Sequence, residues 1–433
     1  MSDTVRQPGN SPAVFLSDVQ DKDSMTTQNT AYRTLDAEGV RSYVASLPAI
    51  AARLGSAPET WTIREVSDGN LNMVFLAEGS NGGVCLKQAL PHVRVDPSWK
   101  MPLDRTFFEA AYLRNVFPHV PDLTTECLHF DPEQFILIVK SLSGHTVLRT
   151  ALMNGPVNPE IAARIGRFVA HSTFATSLLA APFEPVMDRR ICFARNQTLT
   201  RITVDLVLTD PYHSHPRNHW AEPGLTPVVD AIRADENVLA RIDSLRLRFL
   251  SCPQALLHGD LHTGSIMTTE DDTRVIDGEF AIYGPIGFDA GLFVANLVLS
   301  LFATPDTAAT HLHKQMITLF WGSFTEHFLH LWNTQPTPSD PAALYYAPTQ
   351  GSISEREKTL FLESIFQDMV GYCGAEIIRR IIGYAHVADF SVLPNTETQE
   401  ARKKQALLFA KKCLDQKHLF KNISDFLTSL SAD

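Results

Sequence analysis

The sequence predicts an α+β fold in which a small antiparallel sheet comes first and a larger, mainly helical part follows. Short β-type runs separated by turn residues occupy residues 61–88. Long helical patterns dominate after residue 144, and no internal repeat is present. Two lobes joined near residues 140–144 explain a length of 433 residues better than one core, because single cores rarely exceed about 250–300 residues.

The sheet-forming region follows a segment of different composition. Residues 1–30 are rich in Ser, Thr, Asp, Gln and Pro without a sustained period, which predicts a flexible N-terminal tail. A helical pattern starts at Leu35, and three β-type runs follow at Trp61–Val66, Met73–Ala77 and Val84–Gln88. Their connectors contain Asp-Gly and Asn-Gly pairs, which supply the positive φ that tight hairpins need. An antiparallel meander is therefore predicted.

A helix at Leu103–Phe117 separates this meander from a further strand at Phe135–Val139. Beyond residue 144 the apolar spacing predicts long helices at Pro159–Ala180, Asp230–Leu250, Asp289–Ala303, Ala308–Trp332, Glu355–Ala388 and Glu400–Leu414. We therefore predict a tail over residues 1–30, an N-terminal lobe over 31–140 and a C-terminal lobe over 141–433.

Composition excludes several classes of protein. With 37 Lys and Arg against 48 Asp and Glu, the net charge is −11, so no global positive field attracts nucleic acid or an anionic membrane. The six cysteines are far apart and form no C-x-x-C pair, which indicates reduced thiols. The N-terminus lacks a secretory core, and the apolar stretch Ala290–Thr304 is too short for a membrane span. These observations predict a cytoplasmic protein.

The densest group of reactive side chains lies in the segment His258–Ser265 and in the residues that follow it. Asp260 lies in a turn-rich loop, where a carboxylate can accept the proton of a hydroxyl that attacks a phosphate. Asp277 and Glu279 are two residues apart, so in an extended segment both carboxylates project from the same side. Such a pair suits Mg²⁺, which takes one or two carboxylates together with phosphate and water oxygens.

Lys87 provides the opposite charge on the third predicted strand. Glu109, on the helix that follows, is placed to pair with it and to direct the ammonium group toward phosphate oxygens. The order along the chain is a turn-rich hairpin, a strand Lys, a helix Glu, a connecting segment, a loop Asp and an acidic pair. That order indicates a kinase-like phosphotransferase.

Several segments resemble the 5-methylthioribose kinase family from about Leu35 to the C-terminus. These segments are Asp68–Phe75, Lys87–Pro91, His258–Ser265, Gly284–Asp289 and Glu376–Asp389. The resemblance implies a two-lobed protein-kinase-like fold, an N-terminal lobe that binds nucleotide and a C-terminal lobe that binds substrate. It also implies transfer of the ATP γ-phosphate to the 1-hydroxyl of 5-methylthioribose in methionine salvage, a dependence on Mg²⁺ and a homodimer.

The resemblance assigns roles to residues. Asp260 becomes the base that contacts the substrate, and Arg379 and Arg380 approach the substrate and the transferring phosphoryl group. Residues implied on the ATP side are Asn70, Asn72, Lys87, Glu109, Asp277, Gly278 and Glu279, with adenine read by the backbone of Lys140, Ser141 and Leu142. The implied metal ligands are Asp277, Glu279 and Ser265.

The chain departs from the family where Gly278 replaces the usual Pro, which predicts a looser backbone between the two acids. It also has Lys140 and Ser141 where the family commonly has acidic residues. Arg379 and Arg380 are neighbours on a predicted helix, and neighbouring side chains on a helix point in different directions. We therefore predict that one of them is functional and the other structural.

Less specific interpretations apply elsewhere. The spaced histidines His213, His215 and His219 lie in a Pro-rich loop without a nearby Cys, so a surface loop is predicted rather than a zinc site. His258 and His262 are expected to fix the loop backbone. Two other functions remain open: a kinase of another hydroxyl compound such as an aminoglycoside, choline or homoserine, and a catalytically silent scaffold.

Overall fold

The computed structural model describes residues 32–55, 57–66, 71–94, 96–304, 307–334 and 355–430. The predicted tail, residues 1–30, lies outside these residues, and so does Asn70. The mixed α+β class is confirmed, because an antiparallel sheet occupies the N-terminal region and helices form most of the remainder.

The N-terminal region begins with two short helices, α1 (Ala37–Ala45) and α2 (Pro48–Leu54), and continues into a five-stranded sheet. The strands are β1 (Thr62–Val66), β2 (Asn72–Gly79), β3 (Gly82–Ala89), β4 (Cys127–Asp131) and β5 (Ile136–Lys140). They pair in the order β1-β2-β3-β5-β4, and every pair is antiparallel. The predicted meander is therefore confirmed.

The two faces of this sheet pack against different partners. Ile136 and Ile138 of β5 join the cluster that α1 and α2 cover, whereas Leu137 and Val139 point into the main core. Helix α3 (Arg105–Val116) lies on the second face, between β3 and β4 in the chain. Because side chains alternate along a strand, Lys87 of β3 points to the face opposite Leu86, toward α3.

The remainder of the chain is mainly helical, with short strands only near the functional loops. Its helices are α4 (Leu148–Asn154), α5 (Glu160–Thr176), α6 (Phe183–Phe193), α7 (Gln197–Leu208), α8 (Thr226–Ala234), α9 (Glu236–Ser251), α10 (Gly287–Ala303), α11 (Thr307–Thr334), α12 (Glu355–Ile382), α13 (Thr396–Asp415) and α14 (Ile423–Ser429). Its strands are β6 (Thr146–Val147), β7 (Ala255–Leu257), β8 (Ile266–Thr268), β9 (Thr273–Val275) and β10 (Ile282–Gly284).

The structure divides one predicted helix and ends another early. The pattern Asp230–Leu250 is two helices, because the Asp235 side chain accepts hydrogen bonds from the amides of Asn237 and Val238 and starts a new helix there. The helix predicted to end at Ala388 ends at Ile382, just after the paired arginines. Helices α6 and α7 were not predicted, because Pro and charges interrupt the first and β-branched residues fill the second.

The apolar stretch near residue 290 forms α10, and every residue of that helix is buried. In the described part of the chain, no helix is both long enough and apolar enough to span a bilayer. All six cysteines are unpaired, and of these Cys373 and Cys413 are buried.

Candidate active site

Lys87 forms a buried ion pair with Glu109. Its Nζ lies 2.6 Å from Glu109 Oε1 and also contacts Asp277 Oδ1. The Lys87 and Glu109 side chains are 9% and 3% exposed. Burial alone would lower the pKa of Lys87, but the charges of Asp277 and Glu109 outweigh it and raise this pKa well above its usual value. The predicted contact between strand β3 and helix α3 is therefore present.

Asp277 and Glu279 do not lie on one extended segment, so that prediction was wrong. Asp277 has a left-handed backbone, with φ 66° and ψ 44°, and Gly278–Phe280 forms a 3₁₀ turn. The turn separates the carboxylates: Asp277 contacts Lys87, and Glu279 Oε2 lies 3.3 Å from Arg105 Nε.

Gly278 is held tightly rather than loosened. A Cβ atom at this position would lie 2.3 Å from Tyr112 Cδ1, well inside van der Waals contact. Tyr112 is 1% exposed and packs edge-on against His258, with ring centroids 5.6 Å apart. The aromatic ring thus occupies the space beside the turn, which only glycine leaves open.

Arg105, the first residue of α3, is a site residue that the sequence analysis missed. It is fully buried and donates to the carbonyl oxygens of Leu90 and Pro102 at 2.9 and 2.6 Å and to Asn72 Oδ1 at 3.0 Å. Asn72 Nδ2 in turn donates to Glu279 Oε2 at 3.2 Å. Arg105 therefore fixes the start of β2 against Glu279.

Glu279 has an unusual protonation equilibrium in this setting. Burial raises its pKa to about 7, and the nearby carboxylates Glu109 and Asp277 add to the shift while Arg105 opposes it. Burial also raises the pKa of Glu109. We call these residues the Lys87 cluster: Lys87, Glu109, Asp277, Glu279, Arg105 and Asn72.

The loop that carries Asp260 is tied to the turn that carries Asp277. His258 Nδ1 accepts the Asp260 amide at 3.3 Å, so Nε2 carries the proton and donates to the Ile276 carbonyl at 2.7 Å. The Ile276 amide donates to the Ser265 carbonyl at 3.0 Å. The Asp289 carboxylate accepts the amides of His258 and Gly259 at 2.7 and 3.0 Å. His258 therefore fixes the backbone of the loop, as predicted.

His262 also orients the Asp260 carboxylate. Its Nδ1 accepts the Gly264 amide at 2.9 Å, which leaves the proton of the neutral ring on Nε2, 3.4 Å from Asp260 Oδ2. Burial alone would raise the pKa of Asp260, but His262, Arg379 and Arg380 outweigh it and hold this pKa well below its usual range. Asp260 is thus ionised at neutral pH.

Arg379 and Arg380 converge on Asp260 instead of diverging, so the predicted divergence was wrong. They lie three and four residues after Glu376 on α12, and its two oxygens bind Arg379 Nη1 at 3.0 Å and Arg380 Nε at 2.6 Å. Asp260 Oδ1 lies 3.6 Å from Arg379 and 3.9 Å from Arg380. A shared counter-ion therefore aims both guanidinium groups. We call Asp260, His262, Glu376, Arg379 and Arg380 the Asp260 cluster.

The segment predicted to read adenine follows β5. Lys140 is exposed, and the Ser141 amide donates to the Gly83 carbonyl at 3.2 Å, which ties the segment to the β2–β3 hairpin. Leu142 accepts the His145 amide at 3.1 Å.

The histidines after α7 form no metal site. His213 and His219 are exposed, and His215 Nδ1 lies 3.6 Å from Asp210. Among the described residues, no three His, Cys, Asp or Glu side chains are placed to hold a metal ion.

The Lys87 cluster nevertheless has the donors that a Mg²⁺–nucleotide complex needs. Asp277 is 45% exposed and uses one oxygen for Lys87, and Glu279 uses one oxygen for Asn72 and Arg105. Two hard carboxylates suit Mg²⁺ when phosphate and water supply the other ligands. The Ser265 hydroxyl, by contrast, donates to the Asp260 carbonyl at 3.0 Å within its own loop.

Comparison with known proteins identifies the family. The model of the phosphotransferase enzyme family matches residues 62–313. Methylthioribose kinase from Escherichia coli O45:K1 (strain S88 / ExPEC) is 33% identical and aligns over 92% of this chain and 98% of its own length. Methylthioribose kinase 1 from Oryza sativa subsp. japonica is 34% identical, over 93% and 96%.

A third relative is the methylthioribose kinase from Yersinia enterocolitica serotype O:8 / biotype 1B (strain NCTC 13174 / 8081). It is 38% identical and aligns over 80% of this chain and 86% of its own length. The sequence resemblance to this family is thereby confirmed over nearly the whole chain. The chain belongs to the phosphotransferase enzyme family and, within it, to the methylthioribose kinases.

Proposed function

We propose that the chain transfers the γ-phosphate of ATP to the 1-hydroxyl of 5-methylthioribose and releases 5-methylthioribose 1-phosphate and ADP, a step of methionine salvage. The observation that carries this proposal is the Asp260 cluster. It combines an ionised, oriented carboxylate with two guanidinium groups at 3.6 and 3.9 Å. That set suits a hydroxyl that loses a proton while it accepts a phosphoryl group.

Asp260 is the base in this proposal. It accepts the proton of the 1-hydroxyl as the oxygen attacks the γ-phosphorus, and the bond from phosphorus to the bridging oxygen of ADP breaks. An anomeric hydroxyl is more acidic than an ordinary alcohol, so a weak carboxylate base is sufficient. His262 holds the carboxylate in place, and Arg379 and Arg380 hold the substrate and the developing negative charge.

The Lys87 cluster receives the nucleotide. Lys87, fixed by Glu109, binds phosphate oxygens, and Asn72 and Asn70, the latter outside the described residues, are the other polar residues that we assign to the nucleotide. The Gly278 turn sets the directions of Asp277 and Glu279. The backbone of Lys140, Ser141 and Leu142 reads adenine, so the side chains of that segment are free to vary.

Asp277 and Glu279 are the residues that would hold Mg²⁺, and Ser265 is a further proposed ligand. A bound Mg²⁺ neutralises phosphate charge and orients the triphosphate. Asp277 contacts Lys87 in this structure. When nucleotide and cation are bound, Lys87 would pair with phosphate oxygens and Asp277 would pair with the cation. Activity is therefore expected to depend on divalent cation and to be lost in excess EDTA.

The domain division, oligomeric state and location belong to the same proposal. We assign residues 31–140 to a nucleotide-binding lobe and residues 141–433 to a catalytic and substrate-binding lobe, and the predicted tail, residues 1–30, lies outside the described residues. The resemblance to the family supports a homodimer, and the composition supports a cytoplasmic location. Light scattering of the purified chain tests the dimer directly.

A substrate panel tests the proposed reaction. ADP release is measured with Mg²⁺ and ATP in the presence of 5-methylthioribose, ribose, choline, homoserine or an aminoglycoside. We expect 5-methylthioribose to give the highest kcat/KM. Equal or faster turnover of another acceptor would replace the proposed substrate, and the absence of turnover with every acceptor would favour a silent scaffold.

A further inference from the structure

Arg149 is an arginine outside the two clusters whose position is fixed from behind by buried polar groups. It lies on α4, and its Nη2 donates to Asn296 Oδ1 of α10 at 2.8 Å. Its Nε lies 3.4 Å from Asp389 Oδ2. Asn296 and Asp389 are 1% and 2% exposed, so both contacts with Arg149 are shielded from solvent. The two groups hold the guanidinium in one orientation.

The remaining nitrogen, Nη1, faces the loop that carries Asp260. A Cβ atom built on Gly264 would lie 3.2 Å from Arg149 Nη1 and 2.9 Å from His262 Nδ1. The open side of Arg149 is therefore next to the His262 ring, which itself contacts Asp260. Nη1 donates to no protein atom in the described part of the chain.

Arg149 also lies in the electric field of the Asp260 cluster. Burial lowers the pKa of its guanidinium, the charge of Arg380 lowers it further, and Asp389 and Asp260 act in the opposite direction. Holding like charges together in a buried site is unfavourable unless an anion joins them. One buried nitrogen of each of the three arginines lacks a hydrogen-bond partner in the described part of the chain: Arg149 Nε, Arg379 Nε and Arg380 Nη2.

Charge balance indicates when such an anion arrives. Before reaction two neighbouring sets of ion pairs hold three arginines and three carboxylates: Arg149 with Asp389, and Arg379 and Arg380 with Glu376 and Asp260. Asp260 becomes neutral when it takes the hydroxyl proton, and a cation is then left without a carboxylate. The sugar oxygen at that moment bonds to the phosphoryl group, which brings the missing negative charge.

We propose that Arg149 completes, with Arg379 and Arg380, a binding site for the phosphoryl group of the sugar phosphate product. The proposal rests on the proposed function and adds one binding residue to it. The transfer forms the sugar oxygen–phosphorus bond, breaks the bond to ADP and leaves the proton on Asp260, while Arg149 contributes charge and hydrogen bonds only. Asp389 and Asn296 are positioning residues, because they act through Arg149.

Ligand binding to Arg149→Met tests the proposal by calorimetry with 5-methylthioribose and with 5-methylthioribose 1-phosphate. Loss of a charge-assisted hydrogen bond weakens binding roughly 10- to 100-fold, so we expect this loss for the phosphate and less than about threefold for the neutral sugar. The matched control is Arg167→Met, which removes an exposed arginine paired with Asp122. An equal loss for both ligands, or none, would overturn the proposal.

Two further experiments distinguish failure of the proposed role of Arg149 from a folding defect and from a wrong substrate assignment. Arg149→Lys keeps a cation beside Asp389 but removes the planar fork, and it should weaken phosphate binding less than Arg149→Met does. If Arg149→Met does not fold, unchanged phosphate binding in Arg149→Lys overturns the proposal. Binding of inorganic phosphate in the presence of ADP does not depend on the identity of the sugar. This titration therefore tests the role of Arg149 even if the wild type fails to phosphorylate 5-methylthioribose.

Discussion

The Lys87 cluster and the Asp260 cluster are both charged and largely buried, yet they hold their carboxyl groups in opposite ways. In the Asp260 cluster, arginines lower the pKa of Asp260 and Glu376 against the effect of burial. In the Lys87 cluster, burial raises the pKa of Glu109 and brings that of Glu279 to about 7, and only at Asp277 does Lys87 outweigh burial and lower the pKa. The Asp260 cluster sets two arginines against two carboxylates, whereas the Lys87 cluster sets Lys87 and Arg105 against three carboxylates.

This difference follows from what each cluster is proposed to bind. The acceptor sugar is neutral and needs a base that is already ionised, so the protein supplies the cations itself. The nucleotide arrives with Mg²⁺, a further cation that Asp277 and Glu279 would bind. The Asp260 cluster is thus preformed, whereas the Lys87 cluster is completed by its ligand. The two clusters meet at one turn, Ile276–Asp277.

Removing the base should have the largest effect. Asp260→Asn keeps the size of the side chain but cannot accept the proton, so kcat should fall by about 10²- to 10⁴-fold. ATP affinity should stay within about threefold, because Asp260 belongs to the acceptor half. Steady-state kinetics and ATP titration measure the two effects, with exposed Asp271→Asn as the control. Parallel loss of ATP binding in a folded variant would contradict the division into two halves.

The second prediction concerns the buried ion pair. Lys87→Met leaves Glu109 buried without its cation, and such a change costs about 3–5 kcal/mol in the free energy of unfolding. The double variant Lys87→Met, Glu109→Leu should recover most of that stability but not the affinity for ATP. Urea denaturation and ATP titration separate the two quantities, and exposed Lys100→Met is the control. Full recovery of ATP affinity in the double variant would show that Lys87 has only a structural role.

The turn at Gly278 gives a steric test. Gly278→Ala should lower stability by about 1–3 kcal/mol and reduce activity, because the new methyl group overlaps the Tyr112 ring. Tyr112→Ala in the same chain removes the overlapping Cδ1 atom, whereas Tyr112→Phe keeps it. Thermal unfolding should therefore show that Gly278→Ala costs less stability when combined with Tyr112→Ala than when introduced alone, and that Tyr112→Phe gives no such rescue. Rescue by both, or a neutral effect of Gly278→Ala, would argue against this packing.

The smallest effect is a pH dependence of stability. The folded-state pKa of Glu279 is about 7, above its usual value of 4.5, so the folded protein holds a proton that the unfolded chain has lost between these values. The contribution of Glu279 is complete below pH 4.5 and is lost as the pH rises to about 7. Glu279→Gln should flatten the stability profile in that window. An unchanged slope would mean that Glu279 is already ionised in the free protein.

Much of the fold was predictable because it depends on local patterns. Turn pairs and alternating residues predicted β1 to β3, and helical spacing predicted α3 and most long helices. Helices α6 and α7 were missed because their stability comes from tertiary packing rather than from propensity. The split at Asp235 was also missed, since a cap inside a continuous apolar pattern gives a weak signal.

The site was predictable only as a set of residues. The motifs identified Lys87, Asp260 and Arg379, but the geometry of the acidic pair depended on the left-handed conformation of Asp277, which spacing does not encode. Arg105 gave no signal, because one arginine at the start of a helix is usually exposed. Arg149 was missed because its partners, Asn296 and Asp389, come from distant parts of the chain.

The position of the transferred phosphate tests the central claim most directly. The wild-type chain is incubated with ATP, Mg²⁺ and 5-methylthioribose, and the product is examined by phosphorus–proton correlated NMR. The account predicts one sugar phosphate, equimolar with ADP, whose phosphorus couples to the anomeric proton, and no such product from Asp260→Asn. A phosphate coupled to another sugar position, or ADP release without a sugar phosphate, would contradict the account.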